Sequence, residues 1–358
     1  MFPFCMGVEQ NVAVYDGNQL RSLLDGEQAT ALKAELHRCL RDGPGVLAVR
    51  NAFPEIGAVD RATSVFRKII AQEQVAAKHR GDHFAKPGEN ERIWNALQKF
   101  CELDPEGFVA YYDNPVLVLL CEAWLGPFFQ VTSQVNVVKP GGQSQKPHRD
   151  YHLGFQDEAT VARFPVSMQV ASQFLTLQAV IAHTDMSAAS GPTRLLPFSQ
   201  QYPLGYLAWR NPQFAEYFEK HAIQLPLQKG DAVFLSPALF HAAGANHETE
   251  DRVANLLQVS SAFGRMMESV DRVAMAKRVY PVLLAKKQSG QFRPDQAALV
   301  GASVAEGYSF PTNLDSDPPI AGAAPETMQA LLQRALADSW PAAQFCAALD
   351  EAVQRRLP

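Results

Sequence analysis

Residues 129–150 read FQVTSQVNVVKPGGQSQKPHRD: a valine-rich run, a break at Pro140-Gly141-Gly142, then His148-Arg149-Asp150. β-Branched residues with interspersed polar ones predict a strand over 129–139, which the Pro-Gly-Gly ends. Further strand candidates follow at 174–183, 193–197, 223–227, 232–235 and 253–262. They are separated by Gly, Pro and Asn turns, and no helical crossover is read between them. That pattern predicts an antiparallel sandwich or barrel. Upstream, 27–41 and 59–79 have helical spacing, Gly43-Pro44-Gly45 stops the first, and 46–49 is a short strand. Asn114-Pro115 opens another helix, with Asn114 as cap and Pro115 at the first helical position, ending near Gly126-Pro127. Downstream, helical spacing returns at 267–285 and 325–357. The Pro/Gly-rich stretch 307–322 between them is either a lid or a surface connection. The expected fold is mainly β with flanking α: a double-stranded β-helix (jelly roll) core wrapped by N- and C-terminal helices. Residues 1–127 form the mainly helical part, 128–265 the core and 266–358 a helical extension of a single catalytic domain, 1–358.

Composition narrows the function. Of 358 residues, 47% are hydrophobic, enough to bury a large core. A net charge of -5 lacks the basic footprint of a nucleic-acid binder. The longest apolar runs, such as 174–183 and 116–121, are too short to span a membrane. Five scattered cysteines without a CxxC pair suit a reducing compartment, and the N-terminus lacks the basic segment of a secretory signal. A cytoplasmic protein is expected, with no nucleic acid or membrane as partner.

The chemistry is carried by His148, Asp150, His241 and Arg252. Iron(II) oxygen chemistry needs two imidazoles and one carboxylate on one face of the metal, leaving three positions open. On a strand, residues two apart share a side, so His148 and Asp150 reach one ion while Arg149 points away. His241 follows the strand-like run 232–240 and supplies the third ligand. Arg252, eleven positions later, presents a planar guanidinium suited to a co-substrate carboxylate. Its alternative is a surface ion pair with Glu248 or Glu250. Gln134 and Asn136 lie on one strand face and either hydrogen-bond the co-substrate or meet solvent, depending on register. His152 shares the parity of the ligands, with a supporting or surface role favoured, and His183 is read as structural. His83, Arg92 and Trp94 lie on a polar segment, 81–95, between helices, where such residues either recognise substrate or mark an exposed loop. Arg265 is a similar candidate, and Lys139 either joins the site or marks a turn.

These pieces resemble the phytanoyl-CoA dioxygenase family of iron(II)/2-oxoglutarate enzymes. The resemblance rests on Lys139-Pro140-Gly141 leading to Pro147-His148-Arg149-Asp150, then Ser190-Gly191-Pro192-Thr193-Arg194 and Lys229-Gly230-Asp231, then His241, Asn246 and Arg252. It covers roughly residues 40–265. It implies that His148, Asp150 and His241 bind iron(II), that Arg252 holds 2-oxoglutarate, and that O₂ is the oxidant. Related halogenases lack the carboxylate ligand, so Asp150 favours hydroxylation. Two departures stand out: Pro197-Phe198-Ser199-Gln200 where the family often has Pro-Gly-Ser-His, and the helical tail after residue 265.

The expected activity is hydroxylation of an unactivated C–H bond in a small organic substrate. The rivals are a cupin-like metal-binding jelly roll without turnover and a demethylase of damaged bases. The acidic balance disfavours the second. The sequence does not specify the oligomeric state.

Overall fold

The computed structural model describes residues 2–76, 90–293, 295–309, 312–320 and 323–358. Its strands are β1 Gly7–Glu9, β2 Val12–Asp16, β3 Val46–Arg50, β4 Asn90–Ile93, β5 Gln130–Val138, β6 Thr176–Ala182, β7 Arg194–Leu195, β8 Ile223–Gln224, β9 Ala232–Leu235, β10 His241–Ala242 and β11 Arg252–Ser260. Eight form one sheet in the order β1-β2-β3-β9-β6-β11-β5-β4, and β10-β7-β8 form a second.

Strand alternation gives the large sheet two different faces. Leu47, Val49, Val135, Ile181, Phe234 and Leu257 join Phe66, Phe100, Phe108 and Leu120 from the flanking helices in the main core. The opposite face carries Val46, Ala48, Val180, Val233 and Leu235, which pack with Leu195, Leu225 and Leu239 of the smaller layer. Each fully buried aliphatic or aromatic side chain contributes roughly 1.5–3 kcal/mol. The second face also carries most of the polar residues of β5, β6 and β11, so the site lies between the layers. In register, Asn136 faces Ala254, Gln134 faces Leu256 and Thr132 faces Gln258. Gln258 also faces Gln178. Directly opposed residues share a face, which puts these side chains on one surface.

Several expectations are corrected. The first 127 residues contain four strands besides their helices. β1 and β2 form a hairpin through Gln10 and Asn11, whose φ values of 48° and 67° give the left-handed turn such a connection favours. β4 occupies part of the expected loop 81–95 and pairs with β5. The sheet is mixed, because β2 and β3 run parallel with the helices Gly17–Ser22 and Ala29–Arg41 between them. The core strands are also interrupted by helices at Glu158–Ala162, Val166–Ser172, Gly205–Ala208 and Pro212–His221. In the C-terminal part, Arg272–Gln288 is joined by an unexpected helix, Gln296–Val304, and 325–357 divides into Met328–Ala337 and Ala342–Gln354. Within 307–322, Thr312 Oγ1 donates to the Arg356 carbonyl and Asn313 Nδ2 to that of Leu357, tying the stretch to the C-terminus.

Asn114 caps Pro115–Leu125 as expected: its side chain accepts from Val116 N at 3.0 Å. His183, next to the end of β6, is buried. Thr63 Oγ1 donates to the Val59 carbonyl, so it accepts from His183 Nδ1 at 2.8 Å. Tyr111 Oη then donates to Nε2 at 2.9 Å. Burial pushes the imidazole down to about 3, with Lys229 adding to the effect and Asp60 opposing it. Below an ordinary pKa near 6.5 the unfolded chain takes up a proton that the folded one refuses. This group's contribution is therefore present above about pH 6.5 and lost as pH falls toward 3. Wild type relative to His183→Gln is expected to lose about 2 kcal/mol between pH 7.5 and 5. Urea unfolding at both pH values measures this, and equal losses in the two proteins would refute it.

Candidate metal centre

Three backbone hydrogen bonds staple the site together. His148 N donates to the His241 carbonyl at 3.0 Å, and His241 N to that of His148 at 3.1 Å. Asp150 N donates to the Pro237 carbonyl at 3.0 Å. His148 thus bridges to the edge of the small sheet at β10. One donor atom from each of His148, Asp150 and His241 lies within 4.8 Å of the others. Asp150 Oδ1 is 3.4 Å from His148 Nε2, and Oδ2 is 3.4 Å from His241 Nε2.

The ring tautomers follow from their partners. His148 Nδ1 is 2.8 Å from the Lys146 carbonyl, and His241 Nδ1 is 2.9 Å from the Leu239 carbonyl. A carbonyl only accepts, so each Nδ1 carries hydrogen and each Nε2 can turn a lone pair toward a cation. Burial would raise the Asp150 carboxyl, but His148, His241 and Gln178 outweigh it and hold it well below the usual range. Burial lowers His148, while Asp150 overcomes burial to raise His241. Two imidazoles and one ionised carboxylate are a donor set that fits a divalent transition metal.

Arg149 points away from the triad. Its Nη2 donates to the Ser199 and Tyr202 carbonyls at 2.5 and 3.2 Å, and its guanidinium lies over Tyr206 and Phe240. After Asp150 the chain turns sharply through Tyr151 and His152, with φ of 62° and 25°. Extended parity ends there, so half-buried His152 is not among the cavity-lining residues.

The triad opens into a cavity of about 770 Å³. Arg252 also lines it, 5% exposed, its Nη1 donating to the Gly244 carbonyl at 3.2 Å and the Ser190 carbonyl at 3.5 Å. Burial pushes the guanidinium down to about 10, leaving it charged at neutral pH. No carboxylate pairs with it among the described residues. The alternative partner Glu248 instead accepts from Ser187 Oγ at 2.7 Å. The loop carrying Ser190 is closely fitted: Gly191 has φ +74°, and a Cβ there would lie 2.1 Å from the Ala245 carbonyl.

A family model described as Phytanoyl-CoA dioxygenase (PhyH) matches residues 27–254, well over half of the sequence. The chain belongs to the phytanoyl-CoA dioxygenase family. Dioxygenase andF of Emericella variicolor is 25% identical over 147 residues, which cover 39% of this chain and 45% of that protein. The match thus spans less than half the length of that curated relative. Among solved structures, the non-heme alpha ketoglutarate dependent carbocyclase SnoK from nogalamycin biosynthesis is 21% identical, with a TM-score of 0.45 over 65% of this chain and 86% of its own. AviO1 from Streptomyces viridochromogenes Tue57 is 16% identical, with a TM-score of 0.46 over 64% and 95%.

In this phytanoyl-CoA dioxygenase family chain, Gln134 and Asn136 face the cavity rather than solvent. Arg92 and Trp94 line it too: Arg92 Nη1 donates to Gln134 Oε1 at 2.9 Å and its guanidinium lies over the Trp94 ring. β4 brings them in by pairing with β5. His83 lies outside the described residues. Arg265 is exposed and is not among the cavity-lining residues, and its carbonyl accepts from Ser260 Oγ at 2.7 Å. Lys139 pairs with Glu91 at 2.8 Å. Unanticipated lining residues are Gln178, Phe155, Trp209 and Met267. Gln178 was detectable as an amide inside the apolar run 176–182. The other three lie on turns and bends whose approach to the cavity no local pattern encodes.

Proposed function

We propose that this chain is an iron(II)- and 2-oxoglutarate-dependent dioxygenase that hydroxylates an unactivated C–H bond of a small organic molecule. The observation carrying this reading is one cavity holding both a two-histidine, one-carboxylate cluster and a buried arginine with no carboxylate partner among the described residues. His148, Asp150 and His241 would hold the iron. Arg252 would bind the far carboxylate of 2-oxoglutarate, with Gln134 and Asn136 as hydrogen-bonding neighbours. When bound, iron(II) and 2-oxoglutarate supply O₂ activation and C–H oxidation, with succinate and CO₂ as co-products. The chain's own contribution is placement. The Lys146 and Leu239 carbonyls set the imidazole tautomers, the Ser190 and Gly244 carbonyls aim Arg252, and Trp94, Phe155, Trp209 and Met267 offer apolar surface to a substrate.

In this reading the facing sheets are a double-stranded β-helix, and residues 1–358 form one catalytic domain. A cytoplasmic location is part of the proposal, in keeping with five free cysteines. No helix among the described residues is long and apolar enough to cross a membrane. The test is succinate formation from 2-oxoglutarate in air without added substrate. Slow release that requires both iron(II) and O₂ is expected. A protein that binds iron and 2-oxoglutarate but forms no succinate would instead be the cupin-like binding module.

A further inference from the structure

Gln178 lies within the apolar run of β6 and is 5% exposed. A buried amide needs partners, and those of Gln178 lead to the metal centre. Its Nε2 donates to Asp150 Oδ2 at 2.6 Å and to Gln258 Oε1 at 3.0 Å. The direction of both bonds is set by chemistry. A carboxylate only accepts, so the amide nitrogen of Gln178 must face Asp150. The second hydrogen of that nitrogen then goes to the oxygen of Gln258, directly opposite on β11.

We infer that Gln178 is a positioning residue for the metal centre, fixing Asp150 by one oxygen so that the other is the one presented to the ion. The inference rests on the reading of His148, Asp150 and His241 as iron ligands. Each carboxylate oxygen lies 3.4 Å from one imidazole Nε2, Oδ1 from His148 and Oδ2 from His241, but Oδ2 also accepts from Gln178 on the sheet side, which leaves Oδ1 as the oxygen free to turn toward the cation. A carboxylate that binds through one oxygen occupies one coordination position and keeps the others for co-substrate and O₂. Chelation through both oxygens would take one of those positions. Gln258 fixes the orientation of Gln178 through the shared nitrogen, and the register of two strands thereby determines how a ligand is aimed.

The test titrates metal-free protein with manganese(II), following free and bound ion by electron paramagnetic resonance. Gln178→Met keeps the side-chain length and removes both donors. It is expected to weaken manganese binding about 10- to 100-fold and to alter the spectrum of the bound ion. Its far-ultraviolet circular dichroism should match wild type. If that variant does not fold, Gln258→Met carries the test. It leaves the bond to Asp150 but removes the second anchor, and should weaken binding by a few-fold. Wild-type affinity and spectrum in folded Gln178→Met would overturn the role of Gln178, and in folded Gln258→Met would overturn its anchoring through Gln258. Failure of wild type itself to bind manganese would overturn the metal reading, and this inference with it.

Discussion

Asp150→Ala is expected to weaken iron(II) binding by on the order of 10²- to 10³-fold and to abolish succinate formation, while the protein remains folded. Asp150 is the only acidic member of the cluster. Without it, two neutral imidazoles face a divalent cation, and no other acidic side chain among the described residues lines the cavity to replace it. The folding cost is smaller. Gln178 Nε2 loses one acceptor but keeps Gln258, a penalty of about 1–3 kcal/mol. Calorimetric titration with iron(II) under anaerobic conditions, alongside circular dichroism, separates the two effects. Near wild-type iron affinity in a folded Asp150→Ala protein would remove the carboxylate from the ligand set.

Arg252→Ala should leave iron binding nearly unchanged and weaken 2-oxoglutarate binding by about 10²- to 10³-fold. A desolvated guanidinium–carboxylate pair is worth several kcal/mol to the bound state, and each 1.4 kcal/mol is a factor of ten. Arg252→Lys keeps the charge but loses the planar fork, and an intermediate loss is expected. In the free protein this buried cation has two carbonyl contacts and no carboxylate partner among the described residues, so folding bears its desolvation. Arg252→Met, which keeps the packing of the stem, should therefore unfold at a higher temperature than wild type when 2-oxoglutarate is absent. Unaltered 2-oxoglutarate affinity in Arg252→Ala would remove the residue from that role.

The long strands were legible because their patterns were dense. β5 and β11 are nine residues each, and their valines and leucines alternate with polar residues over most of that length. The parity of Arg252, Ala254, Leu256 and Gln258 could be read from sequence, and these four do line the cavity. β4 was not legible, because NERI has little strand preference of its own and is an edge strand recruited by pairing with β5. The helix Pro212–His221 was missed despite a readable signal: Asn211-Pro212 repeats the cap pattern of Asn114-Pro115, with Asn211 Oδ1 accepting from Gln213 N at 2.9 Å. At the site, sequence spacing brought out the three clustered residues and Arg252. It could not show that Arg92 and Trp94 reach the same cavity or that Arg265 does not. Those placements depend on strand pairing and on where the chain leaves β11, which are long-range matters.

The most direct test of the account is an anaerobic calorimetric titration of metal-free wild-type protein, first with iron(II) and then with 2-oxoglutarate. One equivalent of iron followed by one of 2-oxoglutarate, the second binding tightly only after the first, is the expected result. A folded protein that takes up neither ligand would contradict it.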